Sequence, residues 1–443
     1  MRKTALLLAL VLLFAGCAQQ GPPVVDSQKA GLSAEVSSED DPPEADPAEE
    51  EPPVPPRTYL DFFAEDKVHE LYIEIAEEDW QAILADPEAK EYCSVTATLD
   101  DVTIEDVGFR TRGNSSLRLW QYPGSHRYPF RLKFDKYVDD QRFLGLDELV
   151  LINAIDDPSF LRDYLGYEAF RQLGMAVPVV TFFDLYIGGE LHGLYVGIEA
   201  VDNRFLNRAF GGHKGNLYEA GLYSTLTVNM DLEQMEQKKG SDQSKADVAQ
   251  LVRILRAMPT GQKGEIESIL DVDSALRYMA ANAVVHNWDD YAGVFAHNYY
   301  FYVEDGIFHI LPWDMNEGFL QTGPMYKPSD GSRQEIATPI TGDLEPVDRP
   351  LASKLLAVPE YYRQYLQHCD TLRKWLETLP DTLTALRERL DQSVEKDPTK
   401  FYTYEEFARQ FDSGYFNGLA GFIADRADYL GERLPELMES AGP

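Results

Sequence analysis

An α+β fold is predicted for residues 58–443, β-rich as far as 220 and mostly helical from 221. Three observations predict it. Apolar and polar residues alternate at 68–75, 94–99 and 128–134, the period of half-buried strands. Two β-rich pairs, 179–187 with 191–199 and 299–303 with 307–311, are joined by Gly188-Gly189 and Glu304-Asp305-Gly306, which read as hairpin turns. From Pro350 onward nearly every segment has helical periodicity, with a break near Asp397-Pro398. The stretch is long enough for one large domain or two lobes with sizeable cores.

The first residues set the address. Arg2-Lys3 precede an apolar run over 5–14, too short to span a bilayer, and Ala15-Gly16-Cys17 follow. This ending resembles a bacterial lipobox, so residues 1–17 are expected to be a lipoprotein signal peptide. Cleavage before Cys17 and lipidation of its thiol would tether the chain in the cell envelope, facing outside the cytoplasm. Residues 18–57 lack aromatics and are rich in Pro, Glu, Asp and Ser, so they are expected to be a disordered acidic tether. No other apolar run is long enough to cross a membrane, which leaves the lipid as the expected membrane contact.

Within the folded part, 77–80 opens a helical pattern and Asp100-Asp101 a turn. A helix is expected over about 159–173, stopped by Gly174. Residues 221–243 read as loop, 247–258 as an amphipathic helix, and Asp273 as the cap of a helix running to about 285. Residues 321–348, rich in Gly, Pro and Thr, read as a long loop.

The formal net charge is -35. Residues 1–57 hold 10 acids and 4 bases, so removing their -6 leaves -29 on the folded part. Such a body repels nucleic acid and anionic lipid, and no nucleic-acid partner is expected. Cys93 and Cys369 permit one disulfide without establishing it, and no Cys/His cluster has zinc spacing.

Against this acidity, residues 109–134 carry six bases (Arg110, Arg112, Arg118, Arg127, Arg131 and Lys133) and no acid, around the turn Gly113-Asn114-Ser115-Ser116. This is the footprint of a phosphate site, or else a set of bases neutralising acids across a sheet. Alternation over 128–134 puts Tyr128, Phe130, Leu132 and Phe134 on one face and Arg127, Arg131 and Lys133 on the other. A second cluster, His286-Asn287-Trp288-Asp289-Asp290, His297-Asn298 and Pro312-Trp313-Asp314-Met315-Asn316, supplies hard oxygen ligands near the ends of a helix and a strand. These suit magnesium or manganese, and with the basic run would make the two halves of a phosphoryl-transfer site. Each acid is equally readable as a cap or turn closer. His213, His286, His297 and His309 have no metal-ligand spacing and read as ordinary polar or packing residues.

The chain resembles the spore coat protein H family, the CotH-type kinases. The resemblance is carried by Val107-Gly108-Phe109-Arg110-Thr111-Arg112-Gly113-Asn114-Ser115-Ser116, Tyr128-Pro129-Phe130-Arg131-Leu132-Lys133-Phe134 and Asp157-Pro158-Ser159-Phe160-Leu161-Arg162-Asp163. Gly193-Leu194-Tyr195-Val196-Gly197-Ile198-Glu199, His297-Asn298-Tyr299-Tyr300-Phe301-Tyr302 and Leu311-Pro312-Trp313-Asp314 complete it. It implies a divergent protein-kinase-like fold of two lobes. Arg112, Gly113, Asn114, Ser115 and Ser116 would form the nucleotide loop; Arg127, Arg131 or Lys133 would supply the phosphate-binding cation; Glu199 would lie near the nucleotide.

On the same basis Asp289, or its neighbour Asp290, would be the catalytic aspartate, Asp314 the metal-binding aspartate and Asn298 a further metal ligand. Asn316 stands where the family commonly has a second aspartate, an amide in place of a carboxylate. The resemblance implies ATP with Mg or Mn, and transfer to Ser or Thr of an exported protein. The alternative is a non-catalytic assembly protein of the envelope or coat, or a polysaccharide-associated binding protein, on the same fold.

Overall fold

Seven strands close into a barrel in the order β1-β2-β3-β4-β5-β7-β6. They are β1 (His69–Glu74), β2 (Cys93–Leu99), β3 (Val102–Thr111), β4 (Phe130–Lys133), β5 (Glu148–Ile152), β6 (Val180–Ile187) and β7 (Glu190–Glu199). The computed structural model describes residues 57–241, 244–323, 329–340 and 344–442. The expected signal peptide, Cys17 and nearly all of the acidic linker lie outside the described residues. The described part belongs to one compact unit, Pro56–Pro443.

Neighbouring strands run antiparallel except where β6 closes the barrel against β1, pairing Leu71 with Leu185 in parallel. Alternate side chains fill the interior: Leu71, Ile73, Val95, Ala97, Phe109, Phe130, Leu132, Leu149 and Leu151 are all buried there. Gly197 is required by that packing, because a Cβ would lie 2.3 Å from the Phe183 ring. Phe109 stacks on Phe130 at 4.8 Å, while Arg110, Arg131 and Lys133 point to the other face. The ladder begins at Phe130 rather than at 128, because Pro129 has no N–H to donate. The outer faces of β5, β6 and β7 are buried as well, with Val150, Phe182, Val196 and Ile198 joining the core of the helical part.

Helices α1 (Tyr59–Phe63), α2 (Glu77–Ala85) and α3 (Ser115–Arg118) decorate the barrel. They are followed by α4 (Arg162–Gln172), α5 (Asn203–Phe210), α6 (Ala246–Ala257) and α7 (Val272–Val285). The C-terminal part is α8 (Pro350–Leu356), α9 (Pro359–Leu376), α10 (Leu379–Lys396), α11 (Tyr404–Arg409) and α12 (Leu419–Ser440). Helix α7 packs against α4 and α9, and α9 against α12.

A second antiparallel sheet runs β11-β10-β8-β9, with β8 (Asn216–Ala220), β9 (Met235–Lys239), β10 (Tyr299–Glu304) and β11 (Ile307–Pro312). Because β8 pairs with β10, the expected division at 220 falls inside this sheet, and the barrel itself ends with β7. The expected loop over 221–243 contains β9, a polar edge strand whose one buried side chain is Met235.

Two helix starts also differ. Asp157 accepts from Ser159 N at 2.9 Å and from Arg162 N at 2.8 Å, holding the chain in a turn, so α4 starts at Arg162. Asp271, not Asp273, caps α7, accepting from Ser274 N at 3.1 Å; Asp273 instead pairs with Arg277 at 2.5 Å. Cys93 and Cys369 are both free thiols, and they lie in the two different cores. Among the described residues no helix is long and apolar enough to cross a membrane.

Candidate active site

The chain leaving α7 makes the first wall. His286 ends the helix in the left-handed conformation, φ 51°, and its Nδ1 lies 2.7 Å from Leu320 O. Asn287 is tied back to Asn282 at 3.0 Å and accepts from Asp289 N at 3.2 Å. Asp289 is thereby presented half-buried, with Oδ1 2.7 Å from His297 Nε2 and Oδ2 accepting from Asn298 Nδ2 at 3.0 Å. The contacts of Asn298 use its amide nitrogen and leave its side-chain oxygen as an acceptor.

Asp290 belongs to the frame. It is 2% exposed, and its Oδ1 accepts from Ala292 N at 2.9 Å and Gly293 N at 3.0 Å, closing its own turn. Burial pushes its carboxyl up to about 7. The turn is tight: a Cβ on Gly293 would lie 1.7 Å from Trp288 O. Of the two neighbours, Asp290 is therefore spent on its own turn, while Asp289 is the half-buried one held by His297 and Asn298.

The end of β11 makes the second wall. Asp314 sits at φ 57° with its N donating to Tyr167 Oη at 3.2 Å, and Met315 N donates to Asp163 Oδ1 at 2.9 Å. Tyr167 and Asp163 come from α4, which approaches so closely that a Cβ on Gly166 would lie 2.5 Å from Met315 Cβ. Sequence reasoning missed Asp163 and His297. Nothing in their spacing pairs them with Asp314 or Asp289, since their partners lie across the fold or across a loop.

Negative charge is concentrated here. Burial and then the charge of Asp314 push Asp163 up to about 8; burial also raises Asp314, with Arg112 opposing and Asp289 and Asp156 adding to the rise. Such a set of carboxyls, poorly solvated and mutually repelling, fits a hard divalent cation, which prefers oxygen ligands and retains waters. No three carboxylate or histidine atoms of this cluster converge as a ready-made cage. Among the described residues that arrangement occurs at Glu65, His69 and Asp100, where Lys67 already bridges Glu65 and Asp100 at 2.9 Å each.

The cations of the basic run separate into two kinds. Arg127 is 0% exposed, with Nη1 2.8 Å from Asp397 and Nε donating to Asn153 O at 3.0 Å; Nη2 donates to Leu194 O. It lies before the strand and turns into the fold, so it is a structural cation and not a phosphate ligand. Lys133 is bound between Glu148 at 2.8 Å and Asp135 at 2.9 Å, and Arg131 pairs with Glu148 at 3.2 Å. For these two, cross-strand neutralisation accounts for the charge.

Arg112 differs. Among the described residues its guanidinium makes no hydrogen bond or ion pair; it lies 5.9 Å from the Trp313 ring, and Asp314 is the carboxylate acting on it most strongly. Its backbone N donates to Pro129 O at 2.9 Å, pinning the end of β3. Gly113, at φ 85°, then opens the exposed turn into α3, where Asn114 Oδ1 accepts from Lys90 at 3.0 Å and Ser116 O from Asn153 at 3.3 Å. The Arg112 to Ser116 segment is thus a turn leading into the one-turn helix α3, with the Arg112 side chain beside Trp313.

Glu199 is fully buried, accepting from Tyr59 Oη at 2.6 Å and Val179 N at 3.1 Å and pairing with Arg208 at 2.5 Å. It ties α1, β7 and α5 together and is spent as a structural acceptor, not a nucleotide contact. Asn316 is half-buried, and its backbone oxygen accepts from Arg162 at 3.4 Å.

Barrel, sheet and helices thus bring together an arginine loop, an aspartate held by histidine and asparagine, and a half-buried aspartate after β11. The sequence profile of the CotH kinase protein family matches residues 109–430, and the chain belongs to that family. It is similar to the inner spore coat protein H of Bacillus subtilis (strain 168), 25% identical over 332 residues, 71% of this chain and 86% of that protein. Solved structures with partial likeness include a Helicobacter pylori proinflammatory kinase, CtkA, at 13% identity and TM-score 0.29, covering 70% of this chain and 94% of that one. Another is the HipA–HipB–operator DNA complex of a Shewanella oneidensis MR-1 toxin–antitoxin system, at 10% identity and TM-score 0.26, covering 84% of this chain and 74% of that one. Overlaps of that size carry no argument about this chain.

Proposed function

We propose that this protein is a kinase-type phosphotransferase moving the terminal phosphoryl group of ATP to a Ser or Thr hydroxyl of an exported protein. The reading includes a divergent kinase-like fold and an N-terminal lipid at Cys17 holding the enzyme to the envelope. The observation that carries it is the half-buried Asp289, both of whose oxygens are held by His297 and Asn298, in electrostatic range of Asp314. Membership of the CotH kinase protein family supports the same reading.

Asp289 would orient the acceptor hydroxyl and take its proton as the new O–P bond forms and the bond to the departing ADP oxygen breaks. Arg112, which among the described residues makes no hydrogen bond or ion pair, would hold phosphate oxygens, with the Gly113 to Ser116 turn following it. Asp314, with Asn298, would hold Mg or Mn, which would supply positive charge to offset that of the phosphate groups. The buried floor of Asp163 and Tyr167 fixes the backbone at Asp314 and Met315.

The test is transfer of label from γ-labelled ATP with manganese to the protein itself and to co-expressed secreted Ser-rich proteins. Label recovered as phosphoserine or phosphothreonine supports the reading. Absence of transfer with every divalent metal tried would reject it in favour of a non-catalytic assembly role.

A further inference from the structure

Among the described residues, Glu317, three residues beyond Asp314, has no hydrogen-bond or ion-pair partner for its carboxylate. The residue is 9% exposed, and its Oε2 is buried without a hydrogen bond. The charges acting on it are chiefly negative, from Asp156, Asp289 and Asp314. Burial and then Asp156 push its carboxyl up to about 8. Arg162 is the cation nearby, and it is committed elsewhere: Nη1 donates to Asp156 O at 2.7 Å and Asn316 O at 3.4 Å, and Nε stands 3.7 Å from Asp157.

An unpartnered buried carboxylate is costly unless it is protonated or meets a cation. The neighbouring Asn316 offers a neutral amide oxygen, a weaker ligand for a hard dication than a carboxylate. We propose that Glu317 and Asp314 each give a carboxylate oxygen to a hard divalent cation, Mg or Mn, so that Glu317, not Asn316, is the second acidic ligand of this loop. This rests on the metal-dependent reading of the site given above, and it assigns a ligand that reading does not contain.

The probe is Mn2+ alone, titrated into the full chain and followed by the loss of free-ion EPR signal, with thermal melting run in parallel. Glu317→Gln, nearly isosteric, should melt cooperatively yet bind Mn2+ about tenfold or more weakly than wild type. Asn316→Ala should bind within about twofold of wild type, because it removes no charge. Wild-type affinity in Glu317→Gln together with loss in Asp314→Asn would overturn the Glu317 assignment while leaving metal at Asp314. Absence of Mn2+ binding by wild type would overturn it as well. Glu317-dependent Mn2+ binding in a protein that transfers no phosphate would uphold the ligand and reject the kinase reading, so the two can fail separately.

Discussion

His297 Nε2 stands 2.7 Å from Asp289 Oδ1, and the next residue, Asn298, reaches Oδ2 of the same carboxylate at 3.0 Å. Two successive side chains thus fix both oxygens of one aspartate, which is possible because Asn298 takes a left-handed backbone, φ 57°. A carboxylate so held cannot swing out of line. His297→Ala should lower kcat by ~10 to 100-fold through misplacement of Asp289, with little change in ATP affinity. His297→Gln, which restores a donor, should recover part of the loss. Steady-state kinetics beside nucleotide titration reads both.

Asp289 and Asp290 should separate cleanly. Asp290→Asn keeps the oxygen that Ala292 N and Gly293 N require, so phosphate transfer should stay within a few-fold of wild type. Stability should respond instead. The native carboxyl keeps its proton up to about 7, whereas the unfolded chain releases it near the ordinary value, so this group lowers wild-type stability as pH rises between those limits. The gain in melting temperature of Asp290→Asn over wild type should therefore be larger at pH 8 than at pH 5.

Arg112→Ala should raise the KM for ATP about tenfold, because a charge-assisted contact to phosphate is lost while no ion pair among the described residues is broken. Lys133→Ala, by contrast, breaks partly exposed pairs to Glu148 and Asp135 and should change KM little and stability by less than about 1 kcal/mol. Comparing the two variants in one kinetic series checks the division between them.

Arg127 and Asp397 form a fully buried pair joining the approach to β4 with the end of α10. Truncating either partner strands the other charge and should cost about 3–5 kcal/mol. Arg127→Met with Asp397→Leu should cost less than the sum of the single changes, by denaturant unfolding of all four proteins.

Local pattern made much of this legible. Alternation at Phe130 and Leu132, the Gly188-Gly189 hairpin, the Gly174 stop and the break after Lys396 all depend on neighbours in sequence. Composition marks the basic run and the acidic cluster of Asp289 and Asp314 as two separate features; that Arg112 of all six bases lies near Trp313 and Asp314 follows only from folding. Closure of the barrel by the parallel β1–β6 pair depends on a pairing between distant segments, which no local period encodes. Strand β9 escaped because a polar edge strand buries almost nothing. Parity puts Arg127 on the face of Arg131, yet Pro129 ends the ladder between them, and parity has no meaning beyond that point. Glu199 and His297 owe their roles to partners brought in by folding: Tyr59 and Arg208 for one, Asp289 for the other.

On the proposed reading, Asp314 and Asp289 would divide metal–nucleotide binding from proton transfer. A single-turnover assay of label transfer from manganese ATP, run beside equilibrium nucleotide binding on wild type, Asp314→Asn and Asp289→Asn, tests it most directly. Asp289→Asn should bind nucleotide within about threefold of wild type but transfer at least about 100-fold more slowly, and Asp314→Asn should lose both. Transfer at the wild-type rate by either variant would contradict it.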